Sequence, residues 1–545
     1  MLSKFYIEAT TLGDLLARAA GLAPSRYALV LPDEQITYDE LFSRAQRISR
    51  SLIALELPQG AHVGLMAPNS IAYVSALFGV AMAGCVAVPI NVRHKATELA
   101  YIIRNADLSA ILTSRAAEDP LDFLPLLEEA LPSLSRSSGG QDLALNEAPL
   151  LRTVALLRGS EAPTAMSVED FDALAETVLE TQVAERRRRV RIRDVALLIY
   201  TSGTTANPKG CMLTHEACVR GPYERMRERF WAGEHSVTWS GGPLFHIGSL
   251  GPFIGSISVA GTFLTDLYYE PGRALALMAA YGATVAWPWF PAIIHGLIDH
   301  PDFEAATLDT LRFVNVIGPP DLITRLQNLL PHAEVIQSCG MTETAGIFAI
   351  ADAGDPLEVR VASNGKAAPG VEIKIVDPVA GETVPDGDLG EIWVRGFCVM
   401  EGYWRDPTKT AEALTPDGWL RTGDLYKRRP DGNVVFCGRL KDMLKVGGEN
   451  VATAELEAYL CSHPEIRFAE VIGRPDPRLD EVPVAFVELY PESALSSEDI
   501  VAFCRGRIAS YKVPREIFIM SPGDWPMSLT KVDKRALRER LAALT

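Results

Sequence analysis

A chain of 545 residues, 48% hydrophobic and 22% charged, is too long for one hydrophobic core and has the composition of neither a disordered nor a fibrous protein. Its 69 acidic against 52 basic residues leave a net charge of -17, which opposes binding to nucleic acid or insertion at an anionic membrane, so an anionic ligand must meet a local basic site. Eight cysteines without CxxC pairs point to reduced thiols, and MLSKFYIEATTLGDLL lacks the regions of a signal peptide, so a cytoplasmic protein is expected.

The first elements are YALVLPDEQIT (27–37), a hairpin, and a helix opened by a capping box of Thr37 and Glu40, with Leu41, Ala45, Ile48, Leu52 and Leu55 at helical spacing. HVGLMAP (62–68) then reads as a strand. The uncharged SIAYVSALFGVAMAGCVAVPI (70–90) has the length of a membrane span, but Ser70 as a cap, Gly84 as a stop and Pro89 as a strand end divide it into a helix and a buried strand. Such alternation predicts an α/β fold of doubly wound sheet. SLSRSSGGQ (133–141) reads as a surface loop, and Arg186 to Arg189 as a solvated connection.

DVALLI, a short buried strand, empties into YTSGTTANPKG (200–210), a hydroxyl- and glycine-rich loop. Gly203 lets main-chain N–H groups turn toward phosphate oxygens, Thr201, Ser202, Thr204 and Thr205 add hydroxyl donors, and Lys209 adds charge. The order is not GxxxxGK[ST], and Ser/Thr/Gly-rich sequence also favours plain turns, so the loop alone leaves both readings open.

From about residue 361 the pattern turns to short strands, VEIKIVD, EIWVRG and DGNVVFCGR, which suggest a small β-barrel. Beyond GRLKD, a helix from about Thr453, the strands AEVIG and VPVAFVELY and a helix from about Ser497 predict a small α+β domain. The expected division is 1–440 and 441–545.

PLFHIG (243–248), GMTET (340–344), WLRTGD (419–424) with GRLKDMLKVGGEN (438–450), and SLTKVDK (528–534) follow the loop in order. Together these five stretches resemble the signatures of the adenylate-forming family of acyl-CoA synthetases, firefly luciferase and peptide-synthetase adenylation domains. The likeness is greatest to a stand-alone carboxylic acid–CoA ligase, since about fifteen residues beyond SLTK leave no room for a carrier domain. The resemblance implies ATP and coenzyme A as co-substrates and Mg²⁺ as cofactor. It makes Glu343 the Mg²⁺ ligand, Thr342 a donor to the α-phosphate, Asp424 the acceptor of the ribose hydroxyls with Arg439 as its partner, and His246 a neighbour of the carboxylate substrate. Lys531 resembles the lysine that bridges carboxylate and α-phosphate, with Lys534 as the alternative because Thr530 stands where most relatives have glycine. Lys441 falls at the hinge of a mobile C-terminal domain, and Lys445, Gly447 and Gly448 in the loop that meets coenzyme A.

Phe245, Trp287, Trp289 and Ile317 with Gly318, joined by Phe253 and Phe290, form an apolar and aromatic set that fits either an acid pocket or core. No aspartate follows PLFH to hold an amino group, so an apolar acid (aryl, alicyclic or fatty) is expected. Three departures from the family pattern stand out: Cys339 in place of tyrosine before GMTE, IGPP (317–320) in place of GGA, and Ala206 in place of glycine. The alternatives are an acyl-AMP ligase that delivers to a carrier protein and a non-catalytic nucleotide-binding relative. A homodimer is the assembly left open.

Overall fold

The computed structural model describes residues 9–115, 122–201, 207–233, 235–446, 449–528 and 531–544. Strands with Val, Ile, Leu and Ala on both faces need parallel sheet covered by helices. Among the described residues, two such sheets form. The first has six strands in the order Thr153–Arg158, Leu108–Ser114, His62–Met66, Val86–Pro89, Val195–Thr201 and Lys209–Thr214, all parallel except the last. The second has nine, with six parallel strands (Glu334–Met341, Phe313–Val316, Val285–Trp289, Val237–Ser240, Thr262–Leu264 and Tyr27–Val30) between antiparallel edges.

Helices Ile71–Met82 and Ile247–Ser258 are buried almost throughout and share one core with Val63 and Leu65 of the first sheet and Leu29 and Phe263 of the second. The expected signals act where they were read. The Ser70 hydroxyl accepts the Tyr73 N–H at 3.2 Å, Gly84 turns the chain at φ 70°, and the Thr37–Glu40 capping box is formed. The apolar run is therefore core, and no helix among the described residues is long and apolar enough to cross a membrane. Arg186 to Arg189 are not a loose connection. They end the helix Glu180–Arg189, where cations suit the dipole, and Arg187 pairs with Asp14 at 2.8 Å.

The region expected to be a small barrel is a four-stranded antiparallel sheet, Val371–Val376, Leu389–Gly396, Leu420–Arg428 and Val434–Arg439. Among the described residues its pairing runs in a line from first to last strand; closure would need a ladder between the two outer strands. The small C-terminal domain is α+β as expected. Its sheet comprises Met443–Val446, Glu449–Ala452, Ile466–Asp476, Asp480–Leu489 and Glu516–Ile519, and helices Thr453–Cys461 and Ser497–Cys504 pack on it through Leu456, Leu460, Ile500 and Cys504.

Candidate active site

A cleft of about 2710 Å³ is lined by residues of both parallel sheets, of the four-stranded sheet and of the C-terminal domain. On one side the antiparallel pair Val195–Thr201 and Lys209–Thr214, in register at Thr201 and Lys209, brackets the glycine-rich loop. Thr201 and Lys209 line the cleft; Ser202, Gly203, Thr204, Thr205 and Ala206 lie outside the described residues. The Lys209 ammonium sits 4.1 Å from the centre of the Tyr403 ring, an attraction between a cation and the electron-rich ring face. The Tyr403 hydroxyl donates to Glu343 Oε1 at 2.9 Å, and the Met400 N–H donates to the Glu343 carbonyl at 2.9 Å. Burial, then the Glu343 charge, raises the Tyr403 pKa, so the phenol stays a neutral donor. The same two causes hold the buried Cys211 thiol well above the usual range.

Glu343 is 8% exposed, lines the cleft beside Thr342, and follows Gly340, where a Cβ would lie 2.2 Å from the Gly346 carbonyl oxygen. Among the described residues, no group of three or more His, Cys, Asp or Glu could hold a metal alone. A single carboxylate fits Mg²⁺ all the same, because Mg²⁺ is commonly held by one or two carboxylates together with substrate phosphates.

The second side is built on the strand Leu420–Arg428. Gly423 takes φ 73°, which glycine adopts without strain, and its N–H donates to Glu391 Oε1 at 2.7 Å. Glu391 Oε2 accepts the Trp393 indole N–H at 2.8 Å, so this buried carboxylate fixes the turn that presents Asp424. Asp424 stands opposite Arg439 on the next strand, Oδ1 to Nε 3.3 Å. Cys339 is buried against Tyr426, and burial pushes its thiol up to about 12. The Tyr426 ring meets Phe436 at 5.4 Å, and both line the cleft, so an aromatic wall stands next to Cys339.

The third side is apolar. His246 caps the helix Ile247–Ser258, and its Nδ1 accepts the Gly248 N–H at 3.0 Å, which puts the proton of the neutral ring on Nε2. Phe245, Trp287, Trp289, Phe290, Ile317 and Gly318 line the cleft with it. Trp287 and Trp289 are 1% and 6% exposed with ring centres 5.1 Å apart, so they are at once packed and cleft-lining. Trp289 has φ 61°, unusual for a bulky residue, in a strand whose register shifts between Ala286 and Trp289. Its carbonyl accepts the Ile317 N–H at 2.6 Å, which anchors the IGPP loop. Phe253 is core instead, buried between Phe78 at 5.9 Å and Phe263 at 5.3 Å.

Lys441, in the short 3₁₀ turn Leu440–Asp442, is exposed and lines the cleft. Lys445 is exposed on the strand Met443–Val446, where its N–H donates to Glu481 Oε2 at 3.0 Å, and it is not among the cleft-lining residues. Gly447 and Gly448 lie outside the described residues. The Lys531 backbone forms the short strand Lys531–Val532 opposite Met527–Ser528, and the role expected of its side chain falls outside what is described. Lys534 is held by Glu457 at 2.5 Å, Glu470 at 3.1 Å and the Thr453 hydroxyl at 3.1 Å. Sequence reading passed over Tyr403 and Glu391. The aromatic pair in EGYW was a usable signal for the first, whereas a glutamate in a strand gave none for the second.

Known proteins resemble this chain along most of its length. Residues 16–404 match the family described as AMP-binding enzyme, and residues 455–527 match the AMP-binding enzyme C-terminal domain. The medium-chain acyl-CoA ligase ACSF2, mitochondrial, of Mus musculus is 30% identical over 546 residues, covering 98% of this chain and 88% of that protein. The YngI protein of Bacillus subtilis (strain 168) is 30% identical over 538 residues, 97% of each chain. The crystal structure of the anthranilate CoA ligase AuaEII in complex with anthranoyl-AMP superimposes with a TM-score of 0.85 at 27% identity, covering 100% of both chains.

Proposed function

The chain belongs to the AMP-binding enzyme family as an AMP-forming acid–CoA ligase, and on that premise we propose that its acid has a largely apolar body, aryl, alicyclic or fatty, activated within this cleft. The observation that carries the proposal is the meeting in one cleft of two polar arrays, Lys209–Tyr403–Glu343 and Asp424–Arg439, with the aromatic wall of Phe245, Trp287 and Trp289.

In the first half-reaction a carboxylate oxygen bonds to the α-phosphorus of ATP, the bond to the bridging oxygen breaks, and pyrophosphate leaves acyl-AMP. One anion attacks another, so donors and cations must offset charge on both, each well-placed donor contributing roughly 3 kcal/mol. In this reading Thr201, Ser202, Gly203, Thr204, Thr205 and Lys209 hold the β- and γ-phosphates, and Thr342 donates to the α-phosphate. Asp424 accepts from the ribose hydroxyls with Arg439 beside it, and Tyr426 and Phe436 flank the base. Glu343 holds Mg²⁺, oriented by Tyr403; the ion, when bound, offsets phosphate charge. His246 stands beside the acid carboxylate and directs its Nε2–H.

Lys531 is the lysine assigned to bridge the two reacting groups, because Glu457 and Glu470 already engage the Lys534 ammonium. In the second half-reaction the coenzyme A thiol, losing its proton, bonds to the acyl carbon as AMP leaves. We assign residues 441–545 as the mobile domain on residues 1–440, Lys441 as the hinge, and Lys445, Gly447 and Gly448 to the loop that meets the pantetheine. All eight cysteines are unpaired, which supports the cytoplasmic, reducing compartment. The test is to incubate the protein with ATP, Mg²⁺, coenzyme A and a panel of aryl, alicyclic and fatty acids, and to measure AMP and thioester. Both are expected with apolar-bodied acids; adenylate with no CoA-dependent thioester would overturn the transfer step, and turnover of small polar acids alone would overturn the pocket.

A further inference from the structure

Arg225 opens the π-helical turn Arg225–Arg229 at the end of helix His215–Glu224, and no role in the reaction above uses it. Its side chain is 6% exposed yet lines the cleft, and among the described residues it makes one hydrogen bond, to the Ile347 carbonyl at 3.3 Å. Arg229, in the same turn, shows what a satisfied arginine looks like here: it pairs with Glu334 at 2.8 Å and donates to the Ala351 carbonyl. Among the described residues the one titratable neighbour that bears on its charge is the neutral Cys398 thiol; burial lowers the Arg225 pKa to about 10, so the guanidinium remains a cation at neutral pH.

The space around the guanidinium is made by glycines from two helices. A Cβ on Gly221 would lie 3.0 Å from Nη1 and one on Gly251 4.0 Å from Nη2. One turn before Gly251, a Cβ on Gly248 would lie 3.8 Å from the Trp289 ring. The indole N–H groups of Trp287 and Trp289 are buried in the same apolar cluster as Met226 and Ile347, the neighbours of Arg225, and neither N–H has an acceptor among the described residues. A guanidinium can only donate. On this wall of the cleft the Arg225 guanidinium is a cation with no carboxylate partner among the described residues, and a ligand that satisfies it must bring oxygen lone pairs and negative charge.

We infer that the acid carries a second carboxylate at its far end, recognised by Arg225. The inference rests on the ligase reading and narrows its substrate to a dicarboxylic acid with an apolar body. Arg225 acts as a specificity-determining residue: a monocarboxylate of the same length leaves its charge buried and unpaired, which selects against that acid.

The test uses matched pairs, octanoate with octanedioate, decanoate with decanedioate, and benzoate with its carboxyl-substituted analogues, each followed by pyrophosphate release. The wild-type protein is expected to favour the diacid of a pair by about tenfold or more in kcat/KM, and Arg225→Leu to abolish or reverse that preference while retaining monoacid turnover. Arg225→Lys, which keeps charge and bulk, is expected to retain part of the preference, and thermal melting of each variant reports folding. Equal or better use of monoacids by the wild type overturns the inference and leaves the ligase reading standing. So does an equal loss on both members of a pair in Arg225→Leu and Arg225→Lys, which marks a structural role. Turnover of neither series overturns the ligase reading as well.

Discussion

At the scale of single residues, Tyr403 shows how one side chain serves two partners: its ring faces the Lys209 ammonium and its hydroxyl donates to Glu343. Tyr403→Phe keeps the first contact and removes the second. A hydrogen bond to a charged group contributes about 1.5–3 kcal/mol, so kcat/KM for ATP should fall roughly 10- to 100-fold while KM for the acid changes little, read by pyrophosphate-release kinetics at varied ATP. Lys534 predicts a different kind of loss. Removing one partner of a buried ion pair costs about 3–5 kcal/mol, so Lys534→Met should lower the melting temperature of the C-terminal domain.

The same cluster makes stability depend on pH. Burial, and then the neighbouring Glu457, push Glu470 up to about 8 from the ordinary carboxylate value near 4.5. A carboxyl whose pKa is raised by folding contributes stability that is fully present below the unfolded pKa and is lost as pH rises through the folded one. Melting temperature should therefore decline between about pH 5 and pH 8, and Glu470→Gln should flatten that decline in a pH series of melts.

At the scale of elements, the turn before Asp424 depends on one left-handed residue. A Cβ added to Gly423, at φ 73°, would meet no atom within 4 Å, so the cost of a side chain there is conformational rather than steric crowding by neighbours. Gly423→Ala should cost about 1–2 kcal/mol and, by shifting Asp424, raise KM for ATP several-fold with little change in KM for the acid. What could be read in the sequence follows a similar divide between local and distant causes. Ser70, Gly84 and the Thr37–Glu40 box announced their elements because caps are satisfied within a turn. The four-stranded sheet looked like a barrel because closure depends on pairing between distant strands. Phe253 and Trp289 belong to one residue class, and only the packing around each separates core from cleft wall. Tyr403 reaches Glu343 across 60 positions, and Arg225 sits in space left by glycines on two helices; neither relation leaves a local trace.

At the scale of the whole molecule, a cleft of about 2710 Å³ far exceeds the 300–1,000 Å³ that typically encloses a small ligand, so this arrangement does not by itself exclude water from an acyl-adenylate. The C-terminal domain supplies part of the lining and is joined through the 3₁₀ turn Leu440–Asp442, where Asp442 also accepts from Arg538 at 3.1 Å. Rotation there would have to change backbone angles at Lys441, whose side chain is exposed. Proline fixes φ near −65° and removes the N–H, so Lys441→Pro should hold the domain in one orientation. If the present orientation serves adenylation, pyrophosphate release in a single turnover with ATP and acid should stay within about threefold of wild type, while thioester formation on adding coenzyme A should slow by about 100-fold or more. Equal loss in both half-reactions would place the pivot elsewhere, and full thioester formation would show that transfer proceeds without rotation at this residue.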